Sequence, residues 1–531
     1  MKKRLLVLIV CMLVTMCADT VSAYACTGLY VGKQVSESGA AMIAHSVDSH
    51  PCLSPAREVV VERVENKPGR KLTSDYTGFS YALPDTTYKY VSTPLAKGVG
   101  GEYASAAMNE MGVAVSATVS AYVRSEWYKA DPMNSEKGLT EAVVTDLVAA
   151  CAATSREGVQ VIADAIAKNG NAEENIIMIA DQKEAWYIET YTGHQWCALK
   201  MPEDMVAVFG NEFMIETIDP NSEDVMYSEG LFTAAKAAGL AVYEADGVTM
   251  NIFDTYSGVN RLADYANRRT WLGHTLLAPS TIGAYHTYRK YPLFFAPDTK
   301  VGLDRIFELY RNRFEGTEWS PDETGRKDVR VIGTEAQASC HVIEIFDDLP
   351  EEMACVGWLC LANAEHSVYL PVSSLITATA DSYAYEPADD SIIYDTGMAS
   401  VNFKRLCALA EQDRVNYGAG VRAYWRKKEQ RLIAQYPAIR SKAAALYDKN
   451  PIKAKQYITD WTISLQEKTL DEANIMYDEL LFYIMNNTET MKAKLNYKTL
   501  KMGATPEQVP FTTSLMGGQN RSLQKYIQYN K

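Results

Sequence analysis

The 531-residue sequence predicts an α+β layered fold, and three observations carry that prediction. The early chain is made of short β-prone runs separated by turns. Two segments with apolar residues at three- and four-residue spacing follow, and four further strands come directly after them. Beyond about Asn402 the chain becomes helical, charged and rich in Tyr and Lys. Strands, then a helix pair, then strands describe sheets with segregated helices rather than alternating βαβ units.

The chain opens with the basic run Met1-Lys2-Lys3-Arg4, followed by 13 apolar-rich residues from Leu5 to Cys17. That stretch is short of the ~20 residues a membrane-spanning helix needs. Ala23-Tyr24-Ala25 then forms an A-x-A pattern, so residues 1–25 are expected to be a secretory signal peptide. Its removal leaves a 506-residue mature chain beginning at Cys26 and lacking any integral membrane span. A lipoprotein signal is the rival, because it too makes Cys26 the first residue. Tyr24 suits that rival poorly and Ala25 suits it well.

In the mature chain, Thr27–Lys33 and Gly39–Asp48 flank a Ser/Glu/Gly turn and are expected to form a hairpin. Glu58–Val64 is a further β-prone run, and Ala106–Ala117 turns at Gly112. Helices are expected over Leu139–Ala153 and Ser155–Lys168, the second stopped by Asn169-Gly170-Asn171. The next strands are Ile176–Ala180, Glu184–Glu189, Gln195–Leu199 and Met205–Phe209. A helix over Gly258–Leu277 precedes strands at Cys340–Phe346, Cys355–Leu361 and Ser367–Val372. Val421–Gln435 and Ile452–Asn486 are expected to be long amphipathic helices, and the tail after Gly503 has turn composition.

Composition removes whole function classes. Hydrophobic residues at 47% and charged residues at 22% exclude global disorder. A net charge of −14 argues against a nucleic-acid partner, which would require a basic footprint. The ten cysteines contain no CxxC pair, and the seven histidines contain no HExxH. GxSxG and P-loop motifs are also missing. No metal or organic cofactor is expected.

Cys26 stands apart chemically. At a chain terminus its α-amine has an ordinary pKa of about 7.7–8.0, so a useful fraction is neutral near pH 7. That amine is a general base, and the thiol on the same residue is a strong nucleophile once deprotonated. One residue then supplies both functions, and the cleavage that releases it is the activating step.

The stretch from Cys26-Thr-Gly-Leu-Tyr-Val-Gly-Lys to Asp48 resembles the mature start of the C69 dipeptidase family. These are N-terminal nucleophile (Ntn) hydrolases, more distantly related to penicillin V acylase and bile salt hydrolase. The resemblance continues through Asn109-Glu-Met-Gly-Val-Ala, Glu184-Ala-Trp-Tyr, Phe209-Gly-Asn211, Ala266-Asn-Arg-Arg-Thr-Trp271 and Ser367-Val-Tyr-Leu-Pro371, over about residues 26–430. It implies an αββα sandwich over residues 26–400 with a mainly helical C-terminal extension over 401–531. It further implies that Asp48 orients the terminal amine and that Asn211 and Asn109 lie by the oxyanion. Arg269, with Arg268 as rival, is the implied active-site arginine. One departure stands out. Many relatives carry Arg three residues before the Asp, where this chain has His45.

The expectation is therefore a secreted or periplasmic peptidase that cleaves dipeptides or short peptides. A non-peptide amide hydrolase and a non-catalytic envelope lipoprotein remain the alternatives. A homo-oligomer is left open.

Overall fold

Two antiparallel sheets lie face to face in this computed structural model, which describes residues 26–49, 53–74, 77–97, 103–258, 264–287, 290–389, 391–487, 495–496, 501–502 and 510–516. The expected signal peptide 1–25, Cys52 and most of the tail lie outside the described residues.

The six-stranded sheet has the spatial order Val206–Phe209, Thr27–Val31, Ala41–Asp48, Gln337–Ile345, Cys355–Leu361, Tyr369–Ser373. The hairpin predicted at the start of the mature chain forms there, with Thr27 opposite Ser46 and Val31 opposite Met42. The eight-stranded sheet centres on Ala104–Asn109, Ala114–Ser120, Asn175–Ala180, Ala185–Thr190 and Trp196–Lys200. Gly112, at φ +74°, makes the turn between its Ala104–Asn109 and Ala114–Ser120 strands.

Period-two alternation assigns each strand residue to a layer. Ile176, Met178 and Ala180 face the other sheet and join the main core. Ile177 and Ile179 face outward and pack with Leu147, Val148, Val159, Ile162 and Ile166 of the helices Glu141–Cys151 and Ser155–Asn169. Both helices match their predicted positions. The second is capped by the Thr154 hydroxyl, which accepts from the Glu157 N–H at 3.1 Å, and it ends at Gly170. Between the sheets, Ser116 Oγ lies 2.8 Å from His341 Nε2, a polar link inside an apolar interface.

The fourth layer comes from the C-terminal helices. Pro451–Asn487 forms as predicted, and Ala419–Tyr447 runs past the predicted end at Gln435 and through Pro437; with Leu303–Arg311 they cover the outer face of the six-stranded sheet. Phe307 stacks on Tyr369 at 3.9 Å, and Tyr436 meets Trp358. The Trp425 indole donates to the His366 carbonyl at 3.0 Å. Residues from Cys26 to Leu480 therefore share one apolar core across the boundary expected at residue 400. Among the described residues, no helix is long and apolar enough to cross a membrane.

A buried ion pair fastens this layer. Arg311 Nη2 donates to Glu429 Oε1 at 2.6 Å, and the same oxygen accepts the Tyr369 N–H at 2.8 Å. Removing one partner strands a buried charge, a loss of roughly 3–5 kcal/mol. Glu429→Ala should therefore lower the urea midpoint substantially. A chain ending at residue 400 should fail to give a cooperative unfolding transition, because Trp358 and Tyr369 would lose their cover.

Candidate active site

Cys26 sits at the head of the first strand, 1% exposed, where three separate parts of the fold converge. Arg269, on the helix Asp264–Leu277, is fully buried and reaches the Cys26 backbone. Its Nη1 donates to the Cys26 carbonyl at 2.5 Å and to Thr27 Oγ1 at 3.0 Å. Its Nη2 donates to Asn211 Oδ1 at 2.7 Å, while Nε is held by the Tyr265 carbonyl. A guanidinium can only donate, so Arg269 fixes the Asn211 amide with its oxygen inward. Asn211 Nδ2 consequently points away from the arginine and donates to the Ser120 carbonyl at 2.7 Å.

Two glycines allow this approach. A Cβ on Gly273 would come within 2.3 Å of Val208, so glycine there lets the helix lie close against the strand Val206–Phe209. A Cβ on Gly210 would meet the Ala266 carbonyl at 2.9 Å, directly beneath the arginine.

Asp48 ends the second strand and is 1% exposed. Arg330 Nη2 donates to its Oδ2 at 2.5 Å, whereas Oδ1 is buried without a hydrogen-bond partner among the described residues. Burial raises the Asp48 carboxyl to about 6, against the opposing pull of Arg330 and then Arg269. Burial, followed by the charge of Asp48, pushes the Cys26 thiol far above its ordinary value. Burial brings Arg269 down to about 10, and the positive charge of Arg330 adds to that shift.

The sequence-predicted residues divide clearly. Cys26, Asp48, Asn211 and Arg269 are brought together. Arg268 is not part of the group, since it pairs with Asp264 at 2.9 Å and stacks over Trp319. Asn109 is also elsewhere, at the turn between its two strands. Its Nδ2 donates to the Ala149 and Ala152 carbonyls, and its Oδ1 accepts from the Met111 and Val113 N–H groups. That amide is spent on holding the turn to a helix end.

His45 does not take the place of the arginine found in many relatives. Its ring lies between the sheets, edge-on to His341 at 5.5 Å, and burial lowers it to about 3, leaving it neutral. The cation on Asp48 comes instead from Arg330, 282 residues away in sequence, in the loop before the strand Gln337–Ile345. No sequence signal marks Arg330, because its partner is chosen entirely by the tertiary fold. Glu141, close enough for its charge to act on Cys26, was equally unmarked. Among the described residues, no group of three or more His, Cys, Asp or Glu is placed to hold a metal.

The sequence profile of peptidase family C69 matches residues 25–426. The chain belongs to peptidase family C69. A probable dipeptidase B from Streptococcus pyogenes serotype M1 is 32% identical over 378 residues, covering 68% of this chain and 74% of that protein. A probable dipeptidase from Latilactobacillus sakei is 30% identical over 374 residues, covering 70% and 78%. A solved conjugated bile acid hydrolase from Clostridium perfringens aligns over 65% of this chain and 92% of its own, at 11% identity and a TM-score of 0.28. That last likeness is too distant to transfer any role. As a C69 member the protein is a hydrolase of peptide bonds, and its layered α+β fold is the one expected.

Arg269→Lys tests the convergence. Lysine keeps the charge but cannot bridge three acceptors at fixed angles. We expect the variant to fold and to lose on the order of a hundredfold in kcat, because misplacing reacting groups by about 1 Å has that cost. Steady-state kinetics alongside thermal denaturation would measure both.

Proposed function

We propose that the mature protein is an exported cysteine-type dipeptidase whose nucleophile is the Cys26 thiol, released at a new N-terminus when residues 1–25 are removed. One observation carries this reading. The Arg269 network and Asp48 converge on Cys26, and Asp48 Oδ1 is buried with no hydrogen-bond partner among the described residues. A terminal amine on Cys26 is the donor that this oxygen lacks. The S. pyogenes and L. sakei relatives, both named probable dipeptidases, support dipeptides as substrates.

The reaction then runs as follows. The neutral α-amine takes the thiol proton, and the thiolate attacks the carbonyl carbon of the scissile bond. Asn211, held by Arg269 and by its bond to the Ser120 carbonyl, donates its second Nδ2–H to the developing oxyanion, an interaction worth roughly 3 kcal/mol of barrier. As the tetrahedral centre collapses, the C–N bond breaks and the leaving amine takes the proton from the α-ammonium. The thioester that remains is attacked by water, whose proton passes to the α-amine. The acid leaves and Cys26 regains its thiol. Asp48 orients the amine throughout, and Arg269 holds the Cys26 carbonyl and the Asn211 amide in place. Before cleavage the nitrogen of Cys26 is a non-basic amide and burial keeps the thiol protonated, so the uncut chain is expected to be inert.

Intact mass and N-terminal sequencing of the exported protein, with dipeptide assays, test the proposal. The mature start should be an unmodified Cys26, and Cys26→Ser should lose at least about a thousandfold in kcat/KM. An acylated Cys26, a different mature start, or an active Cys26→Ser would overturn it. The pH dependence has a defined sign. The amine must be neutral and Asp48 ionised, so kcat/KM should rise with pH on the acid side, following an amine of ordinary value about 7.7–8.0. Asp48→Asn should lower kcat by about a hundredfold, since orienting a general base contributes at that level.

A further inference from the structure

A cavity of about 220 Å³ lies beside the nucleophile, lined by Tyr103, Ser135, Thr140, Glu141 and Glu173 among others. We infer that its Glu141–Glu173 pair receives a primary ammonium group of the peptide substrate, an assignment that rests on the dipeptidase reading above.

The two carboxylates are held in place by the fold. Glu173 Oε1 accepts the Glu141 N–H at 2.6 Å, at the start of the helix Glu141–Cys151. Glu141 Oε2 accepts the Thr118 hydroxyl at 2.7 Å. Tyr103 closes the same wall, its OH donating to the Ala117 carbonyl and accepting the Thr118 N–H. This wall is next to the reaction centre, because the charge of Glu141 acts on both the Cys26 thiol and Tyr103.

Two features point to a cationic guest. No cation among the described residues compensates either carboxylate: burial and the mutual charge raise Glu141 to about 8, and burial raises Glu173. Independently, Thr140 lines the cavity, 7% exposed, and its hydroxyl has no hydrogen-bond partner among the described residues. An ammonium carries three donors, which suits two carboxylates and a hydroxyl oxygen. In a dipeptide the α-ammonium is two bonds from the carbonyl under attack, so its site must adjoin the nucleophile. A lysine side chain in the first position presents the same chemistry from a longer reach.

The test uses the processed protein with three peptides: Ala-Ala, N-acetyl-Ala-Ala and N-acetyl-Lys-Ala. The wild type should prefer Ala-Ala over its acetylated form. The double variant Glu141→Gln, Glu173→Gln should shrink that preference on the order of 30-fold, the loss expected for a hydrogen bond to a charged group. Thr140→Val should raise KM for Ala-Ala without lowering Tm, since it removes an unsatisfied hydroxyl. If the preference instead follows N-acetyl-Lys-Ala, the ammonium is the lysine side chain and the pair still receives it. Equal cleavage of free and acetylated peptides by the wild type, or an unchanged preference in a folded double variant, would overturn the inference while leaving the dipeptidase reading intact. If the double variant does not fold, Thr140→Val and Glu141→Gln alone decide on the same ratio. No Cys26-dependent cleavage of any of the three peptides defeats the dipeptidase reading and this assignment with it.

Discussion

A fully buried guanidinium needs a hydrogen-bond acceptor for each edge and a nearby negative charge, or it destabilises the fold by several kcal/mol. Arg269 is such a group, and its surroundings are arranged to satisfy it. The Cys26 carbonyl, Thr27 Oγ1, Asn211 Oδ1 and the Tyr265 carbonyl are its acceptors, and Asp48 supplies the compensating charge. These groups belong to the head of the first strand, the end of the strand Ala41–Asp48, the residues just after the strand Val206–Phe209, and the helix Asp264–Leu277. Satisfying one cation therefore fixes the relative positions of the Cys26 thiol, the Asn211 amide and the Asp48 carboxylate. The same geometry explains why the helix must approach so closely, and why glycine occupies positions 210 and 273.

The sheets hold this arrangement still. The Cys26 strand is second from the edge of its sheet, and the C-terminal helices seal the opposite face of that sheet through Trp425, Tyr436 and the Arg311–Glu429 pair. A site whose reacting atoms must be placed within fractions of an ångström gains from such rigidity. The C-terminal helices thus contribute to the site at a distance, as the layer that keeps the sheet carrying Cys26 in one shape.

Much of this was legible in the sequence because it depends on local patterning. The helix pair at 141–169 announced itself by periodicity and by its Asn-Gly stop, and the short apolar run Ile176–Ala180 announced a strand, which the structure places between two apolar layers. Cys26 was singled out by the chemistry it would have at a cleavage pattern, and Arg269 only through its family context, and the fold brings the two together. Asn109 shows the limit of such context. Its Asn-Glu-x-Gly pattern is satisfied by the turn itself, since both ends of the amide bond to backbone within that turn and the adjoining helix end. Arg330 and Glu141 were not legible, because each acts across a contact that no spacing in the chain encodes.

The substitution at position 45 shows how the electrostatics can be redistributed without moving the site. A carboxylate as buried as Asp48 would be protonated near neutrality without a cation. With His45 neutral, Arg330 provides that charge from the loop before the strand Gln337–Ile345. The consequence reaches the terminal amine. An amine at Cys26 would feel burial and the charges of Arg269 and Arg330 lowering its affinity for a proton, and Asp48 raising it. Arg330, paired with Asp48, offsets the pull of that carboxylate for a proton on the amine, and a general base requires the neutral form. Arg330 therefore supplies, from 282 residues away in the chain, the charge for Asp48 that a neutral residue at position 45 does not.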